Sequence, residues 1–151
     1  MLEQTIGVAV FVLRPGAGHD TEVLLLERAG GDMAGSWSPV AGRIRPDERE
    51  ADAALRELAE ETSLAPERLY AATFSGYNER ADRGDVGRIG LFVAFVPAES
   101  AVTLDAESSD HAWHPIRSAI PLLPQEAQQA VLSRVLDDFV RTPPDESLRI
   151  L

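Results

Sequence analysis

The sequence predicts an α+β protein, an α/β/α sandwich with a mixed sheet between helices, and three observations predict it. Apolar strand-like runs open the chain, an amphipathic helical pattern stands in its middle, and a second helical pattern follows further strands near its end. The 151 residues suit one domain with a real core, taken as residues 1–151. Hydrophobic content of 44% and charged content of 26% are ordinary for a globular protein.

Residues 6–13 and 23–27 read as strands joined by a Gly/Pro loop at 15–20. Residues 29–36, with three glycines, read as a loop, and 37–40 as a short strand. A helix follows, with Ala51, Ala54, Leu55 and Leu58 at i, i+3, i+4 and i+7 as a core-facing stripe. Asp47, just before its first turn, is placed to cap it or to complement its dipole. Residues 69–75 and 89–96 read as a strand pair, with a polar loop at 76–88 between them. Residues 111–116 read as a further short strand. Residues 124–140 read as a helix, with Ala127, Ala130, Val131, Val135 and Leu136 at near-helical spacing. The tail from Arg141 is polar and Pro-rich, then ends in the apolar-flanked residues 148–151. No internal repeat and no low-complexity linker is present.

Charge and composition narrow the function. Net charge is −11, which disfavours nonspecific binding to nucleic acid or to an anionic membrane. An acidic protein acting on anionic phosphates needs a metal to invert the local field. There is no cysteine, which excludes disulfides and thiolate chemistry. All 14 basic residues are arginine, so no lysine is available as nucleophile or Schiff base. The apolar start lacks a basic flank and reads as a strand rather than a signal peptide. No run approaches the roughly 20 apolar residues of a membrane span, so a cytoplasmic location is expected.

The densest chemistry lies at residues 42–64, GRIRPDEREADAALRELAEETSL. Glu57, Glu60 and Glu61 stand at i, i+3 and i+4 and share roughly a 100° arc of the helix. Like charges at this spacing destabilise a bare helix by a few tenths of a kcal/mol per pair. A divalent cation with hard oxygen ligands reverses that sign, and Mg²⁺ fits best, with Mn²⁺ the alternative. The plain alternative is a solvated helix, apolar on one side and acidic on the other.

Order and spacing favour the metal. Gly42, then Glu48 after five residues, Arg56-Glu57-Leu58 after seven more, Glu60-Glu61, and Leu64 resemble the Nudix box, with Ser63 where that family usually carries glycine. The chain is therefore identified as similar to the Nudix hydrolases, which implies a mixed sheet between helices. Glycine after a helix adopts the left-handed conformation, and serine there costs on the order of 1 kcal/mol if that conformation is kept. Ala41 stands where many members have a second glycine. Residues 37–42, WSPVAG, resemble the family's approach to the box, and residues 107–115 resemble the late segment of nucleoside-triphosphate-type and dihydroneopterin-triphosphate-type members.

The resemblance implies water attack on the phosphorus of a pyrophosphate bridge, cutting a nucleoside triphosphate or related triphosphate to a monophosphate and pyrophosphate. ADP-ribose, dinucleoside polyphosphates and nucleotide sugars are the alternative substrates, and a nucleotide-binding module without catalysis is the rival class. The resemblance makes Glu57, Glu60, Glu61 and the Gly42 carbonyl metal ligands. Glu60 is a ligand or the base, Glu48 joins through water or hydrogen bonds, and Arg56 points away from the cluster's centre while holding a carboxylate in place. Glu107 is a candidate late carboxylate, and Glu79 or Glu107 a base outside the box. Tyr77, Arg80, Arg83 and Arg88 lie in a loop suited to cover a substrate. Trp37 and Trp113 read as packing residues, with base stacking the alternative. His19, His111 and His114 show no metal-ligand spacing. Many relatives are homodimers, which the resemblance permits.

Overall fold

The structure, a computed structural model, describes residues 4–72, 78–80 and 86–151, without the side chains of residues 19, 78–80 and 86. The first strand, β1 (Thr5–Pro15), is apolar at almost every position and is buried from Gly7 to Leu13. Such a run belongs at the middle of a sheet covered on both faces. It pairs antiparallel with β2 (Thr21–Arg28) and with β4 (Val40–Arg43), which follows the two-residue β3 (Trp37–Ser38). Helix α1 (Glu50–Thr62) then crosses one face. The chain continues as β5 (Arg68–Ala71), β6 (Asn78–Arg80), β7 (Val86–Phe95) and β8 (Ser108–Pro115), then α2 (Ile116–Ala119) and α3 (Glu126–Val135). Strands β1 and β7 are parallel, while β5 and β6 pair antiparallel with β7, and β8 with β2.

The period of two along β1 divides the core. Val8, Val10 and Val12 face α1 with Leu24, Leu26, Val40, Ala54 and Leu58. Ala9, Phe11 and Leu13 face α2 and α3 with Leu25, Tyr70, Leu132 and Phe139. The mixed sheet thus lies between two helical layers, as the sequence predicts.

Three expectations need correction. Residues 78–80, read as part of a polar loop, form β6, because pairing with β7 satisfies the backbone whatever the side chains. The helix expected over 124–140 is α3 to Val135, followed by a π-type turn over Leu136–Arg141. That turn leaves Phe139 buried, with its ring 5.8 Å from Tyr70. Asp47 does not cap α1. It takes a left-handed φ of 63° in the turn before the helix, and Arg49 stands at the N-cap with no side-chain bond. Aspartate tolerates that conformation better than most residues, so the turn claims it.

The far end of α1 keeps the geometry glycine would have. Ser63 has φ 62°, and its N–H donates to the Ala59 carbonyl at 2.9 Å. Thr62 is buried and holds the same corner, its hydroxyl donating to the Leu58 carbonyl at 2.6 Å and accepting from the Leu64 N–H at 3.2 Å.

Candidate functional site

Helix α1 does not separate an apolar side from an acidic one. Its buried residues are Ala53, Ala54, Glu57, Leu58, Glu61 and Thr62, with Ala51 and Leu55 half-buried at the margin. Two of the three clustered glutamates therefore face inward, and only Glu60 is open to solvent. Carboxylates take such places only with partners, and the neighbouring strands and arginines supply them.

Gly42 on β4 makes room for Glu57. A Cβ at this position would stand 2.0 Å from the Glu57 carboxyl carbon and 2.2 and 2.4 Å from its two oxygens. The glycine is required by this close approach, not by a turn, since it lies in a regular antiparallel register opposite Val8. The neighbouring Ala41 N–H donates to Glu61 Oε2 at 3.2 Å. Glu61 is 0% exposed, and its Oε1 has no hydrogen bond among the described residues. Arg28 lies 3.5 Å from that oxygen as an ion pair. Burial pushes the Glu61 carboxyl up to about 8; the Arg28 charge opposes the rise, and Glu57 and Glu107 add to it.

Arg56 stands inside the cluster rather than away from its centre. Its Nε and a terminal nitrogen grip Glu48 at 2.8 and 2.9 Å. The other terminal nitrogen donates to Glu57 at 2.7 Å and Glu60 at 3.2 Å, while the terminal nitrogen that holds Glu48 also donates to the Arg43 carbonyl at 2.9 Å. This fork, with the Arg45 N–H, holds the Glu48 carboxyl down at about 2, and the Glu48 and Glu57 carboxylates raise Arg56 above its ordinary value. Glu48 is thus committed to Arg56. Arg45 reaches Glu60 at 3.2 Å.

Above these residues lies an open cavity of about 480 Å³, lined by Arg28, Ala41, Gly42, Arg43, Arg45, Arg56, Glu57, Glu60, Asp105 and Glu107. A second cavity of about 550 Å³ adjoins it, with Arg43, Arg45 and Glu48 shared or bordering and Gln4, Thr5 and Glu50 beyond. Glu61 does not line the first cavity and lies behind Ala41. Glu107, distant in sequence, is brought to the rim, where its carbonyl accepts from the Ala29 N–H at 3.0 Å.

The remaining candidates fall elsewhere. Arg88 donates to Thr5 Oγ1 at 3.3 Å and does not line the cavity. Tyr77 and Arg83 lie outside the described residues, as do the side chains of Glu79, Arg80 and His19. His111 and His114 lie on β8 opposite Leu26 and Val23. Trp37 packs against the core on the α3 side, and Trp113 packs on the α1 side with Arg14 stacked 4.2 Å from its ring centre. The sequence reading missed Arg28, Arg43, Arg45 and Asp105. Arg43 and Arg45 carried a signal, as cations two apart within the box loop. Arg28 ends an apolar strand, and nothing local marks it.

The donors suit a hard divalent cation. Glu57, Glu60, Glu61 and the Gly42 carbonyl offer only oxygen, and the unbonded buried Glu61 Oε1 calls for a cationic partner. In the geometry described, no three carboxylate or imidazole side chains among the described residues are set to share one ion. Each glutamate is instead paired with a guanidinium.

A model of the NUDIX domain matches residues 3–136. The chain is 31% identical over 134 residues to an octanoyltransferase of Myxococcus xanthus, covering 87% of this chain and 36% of that protein. It is 32% identical over 119 residues to the 8-oxo-dGDP phosphatase NUDT18 of Homo sapiens, covering 76% of this chain and 34% of that protein. The chain thus spans about a third of the length of these relatives. Its fold matches the NUDIX domain of Shewanella oneidensis NrtR, solved with ADP ribose, at a TM-score of 0.74 and 22% identity, over 91% of this chain and 89% of that one.

Proposed function

The chain belongs to the NUDIX family, and from that premise we propose that it is a divalent-metal-dependent pyrophosphohydrolase acting on a nucleoside triphosphate or related triphosphate. One observation carries the reading: Glu57 and Glu60 line a cavity of about 480 Å³ whose rim is rich in arginine, and Arg28 on that rim reaches the buried Glu61. Carboxylates alone would repel a polyphosphate, and guanidinium groups alone would bind it without hydrolysing it. Together they fit a site that takes an anionic chain and a cation at once. NUDT18, to which the chain is similar, is named for a phosphatase acting on the nucleoside diphosphate 8-oxo-dGDP, which supports a phosphorylated nucleoside as the substrate.

Glu57, Glu60, Glu61 and the Gly42 carbonyl would hold Mg²⁺ or Mn²⁺, which supplies neutralisation of phosphate charge and acidification of water. The chain's own residues do the rest. Arg56 fixes Glu57 and Glu48 as a rigid unit, so the carboxylates need not reorganise during turnover. Arg28, Arg43 and Arg45 offer guanidinium forks to the phosphate oxygens. Water forms a new P–O bond as the bridging P–O bond breaks, and its proton passes to a carboxylate open to the cavity, with Glu57, Glu60 and Glu107 in place to take it. Pyrophosphate leaves with the bridging oxygen's electron pair.

A second reading, ADP-ribose, a dinucleoside polyphosphate or a nucleotide sugar, is favoured by the adjoining cavity of about 550 Å³, which meets the first at Arg43 and Arg45 and gives a longer X group room beyond them. The NrtR domain solved with ADP ribose supports it. Retention of all three box glutamates supports catalysis over a binding module.

The test is incubation with Mg²⁺ and a panel of canonical and oxidised nucleoside triphosphates, dihydroneopterin triphosphate, ADP-ribose and diadenosine polyphosphates, beside Glu61→Gln. Metal-dependent cleavage that the variant loses is the expected result, and the best substrate identifies X. A folded protein that cleaves nothing with either metal, or a fully active Glu61→Gln, refutes the reading.

A further inference from the structure

The arginines around the cavity are held in different ways. Arg56 is fixed by close bonds to Glu48, Glu57 and the Arg43 carbonyl, between 2.7 and 2.9 Å. Arg28 is anchored at one end only. Its Nε donates to Ser38 Oγ at 3.0 Å, and the β2–β3 register that pairs Leu26 with Ser38 puts that hydroxyl in place. Its backbone is pinned as well: the N–H donates to Ser36 and the carbonyl accepts from Gly35, both at 2.9 Å. The terminal part of the guanidinium stands 3.5 Å from Glu61 Oε1 with no hydrogen bond to that oxygen, placed to pair with this carboxyl once it is ionised.

Glu61 is fully buried and does not line the cavity, whereas Arg28 does. The cation in contact with the buried carboxylate is therefore also the one that faces incoming phosphates. Two cations beside one carboxylate oxygen repel each other. With a divalent ion held at Glu61, the Arg28 guanidinium would be repelled, and its bond to Ser38 would limit it to a pivot. A phosphate chain in the cavity then offers the fork bidentate acceptors.

We propose that Arg28 stands in for the divalent cation at Glu61 and, when that cation binds, turns about its Ser38 anchor onto the phosphate chain, so that metal and phosphate bind cooperatively. The inference rests on the hydrolase reading above for the identity of the two ligands. Coupling of this kind is reciprocal, so each ligand strengthens the other by the same factor.

The experiment uses calorimetric titration of metal-stripped wild type, Arg28→Gln and Arg28→Lys. Each is titrated with Mn²⁺ alone, and with methylenediphosphonate in the presence of Mn²⁺. Arg28→Gln is expected to bind Mn²⁺ alone about threefold or more tighter, because the competing charge is gone. Its affinity for methylenediphosphonate with Mn²⁺ is expected to fall about tenfold, the loss of one charge-assisted fork. Arg28→Lys keeps the charge but not the fork, so Mn²⁺ affinity stays near wild type while the diphosphonate still weakens. If Arg28→Gln loses its far-ultraviolet dichroism, Arg28→Lys carries the test alone. Weaker Mn²⁺ binding by Arg28→Gln, or unchanged diphosphonate affinity in the folded variants, overturns the exchange and leaves the hydrolase reading standing. A wild type that binds no Mn²⁺ overturns both.

Discussion

Replacing Glu61 by glutamine should change how stability depends on pH in the metal-free protein. The Glu61 side chain is 0% exposed, and burial raises its carboxyl from an ordinary 4.5 to about 8. Between those two values the folded chain holds a proton that the unfolded chain has released. The folded state therefore binds more protons, and stability falls as pH rises through the window. The contribution is complete below about 4.5 and exhausted above about 8. Each pH unit inside the window is worth about 1.4 kcal/mol, so moving from pH 5 to pH 7 costs roughly 3 kcal/mol at this one site. Glutamine carries no such proton. Urea unfolding of both proteins in EDTA at pH 5, 6 and 7, followed by circular dichroism, gives the effect as a difference, because groups away from Glu61, Arg28, Glu57 and Glu107 titrate alike in both. The difference should shift toward the variant by about 3 kcal/mol, on the order of 1 to 2 M in the urea midpoint. Parallel curves for the two proteins would refute the assignment of a buried, protonated Glu61.

Three further outcomes follow from the same geometry. Gly42→Ala places a Cβ about 2 Å from the Glu57 carboxyl and must displace it, so we expect a loss of about 1–3 kcal/mol in urea unfolding and at least tenfold weaker Mn²⁺ binding. Ser63→Gly relieves a left-handed residue and should raise the unfolding free energy by about 0.5–1 kcal/mol with turnover unchanged; a destabilised variant would contradict the helix end described. Arg56→Gln leaves Glu48 and Glu57 without their shared fork, so the Glu48 carboxyl should return from about 2 toward 4.5 in an NMR titration, with the urea midpoint lowered. An unmoved Glu48 titration would show that Arg56 does not set it.

Much of the fold was legible because its signals are local. The unbroken apolar run of β1 marks a strand covered on both faces, and the strand and helix patterns follow in an order that a layered sheet explains. Two of the misreadings share one cause. Residues 78–80 are polar but pair with β7, and Asp47 is drawn into a turn instead of a cap. In both cases a partner decides the backbone state, and the local composition does not contain the partner.

The candidate site divides in the same way. The spacing of Gly42, Glu48, Arg56, Glu57, Glu60 and Glu61 is a property of one continuous segment, so the sequence alone determined family likeness, helical placement and the oxygen-only donor set. Which carboxylates are buried was decided by the sheet. Glu57 faces inward because Gly42, on a strand laid beside β1, leaves no Cβ in its way. Arg28 reaches Glu61 because β2 and β3 pair there, and Glu107 arrives because the chain returns beside Ala29. Charge interaction and desolvation depend on distance in space, and residues 28, 61 and 107 acquire theirs only when the sheet closes against α1.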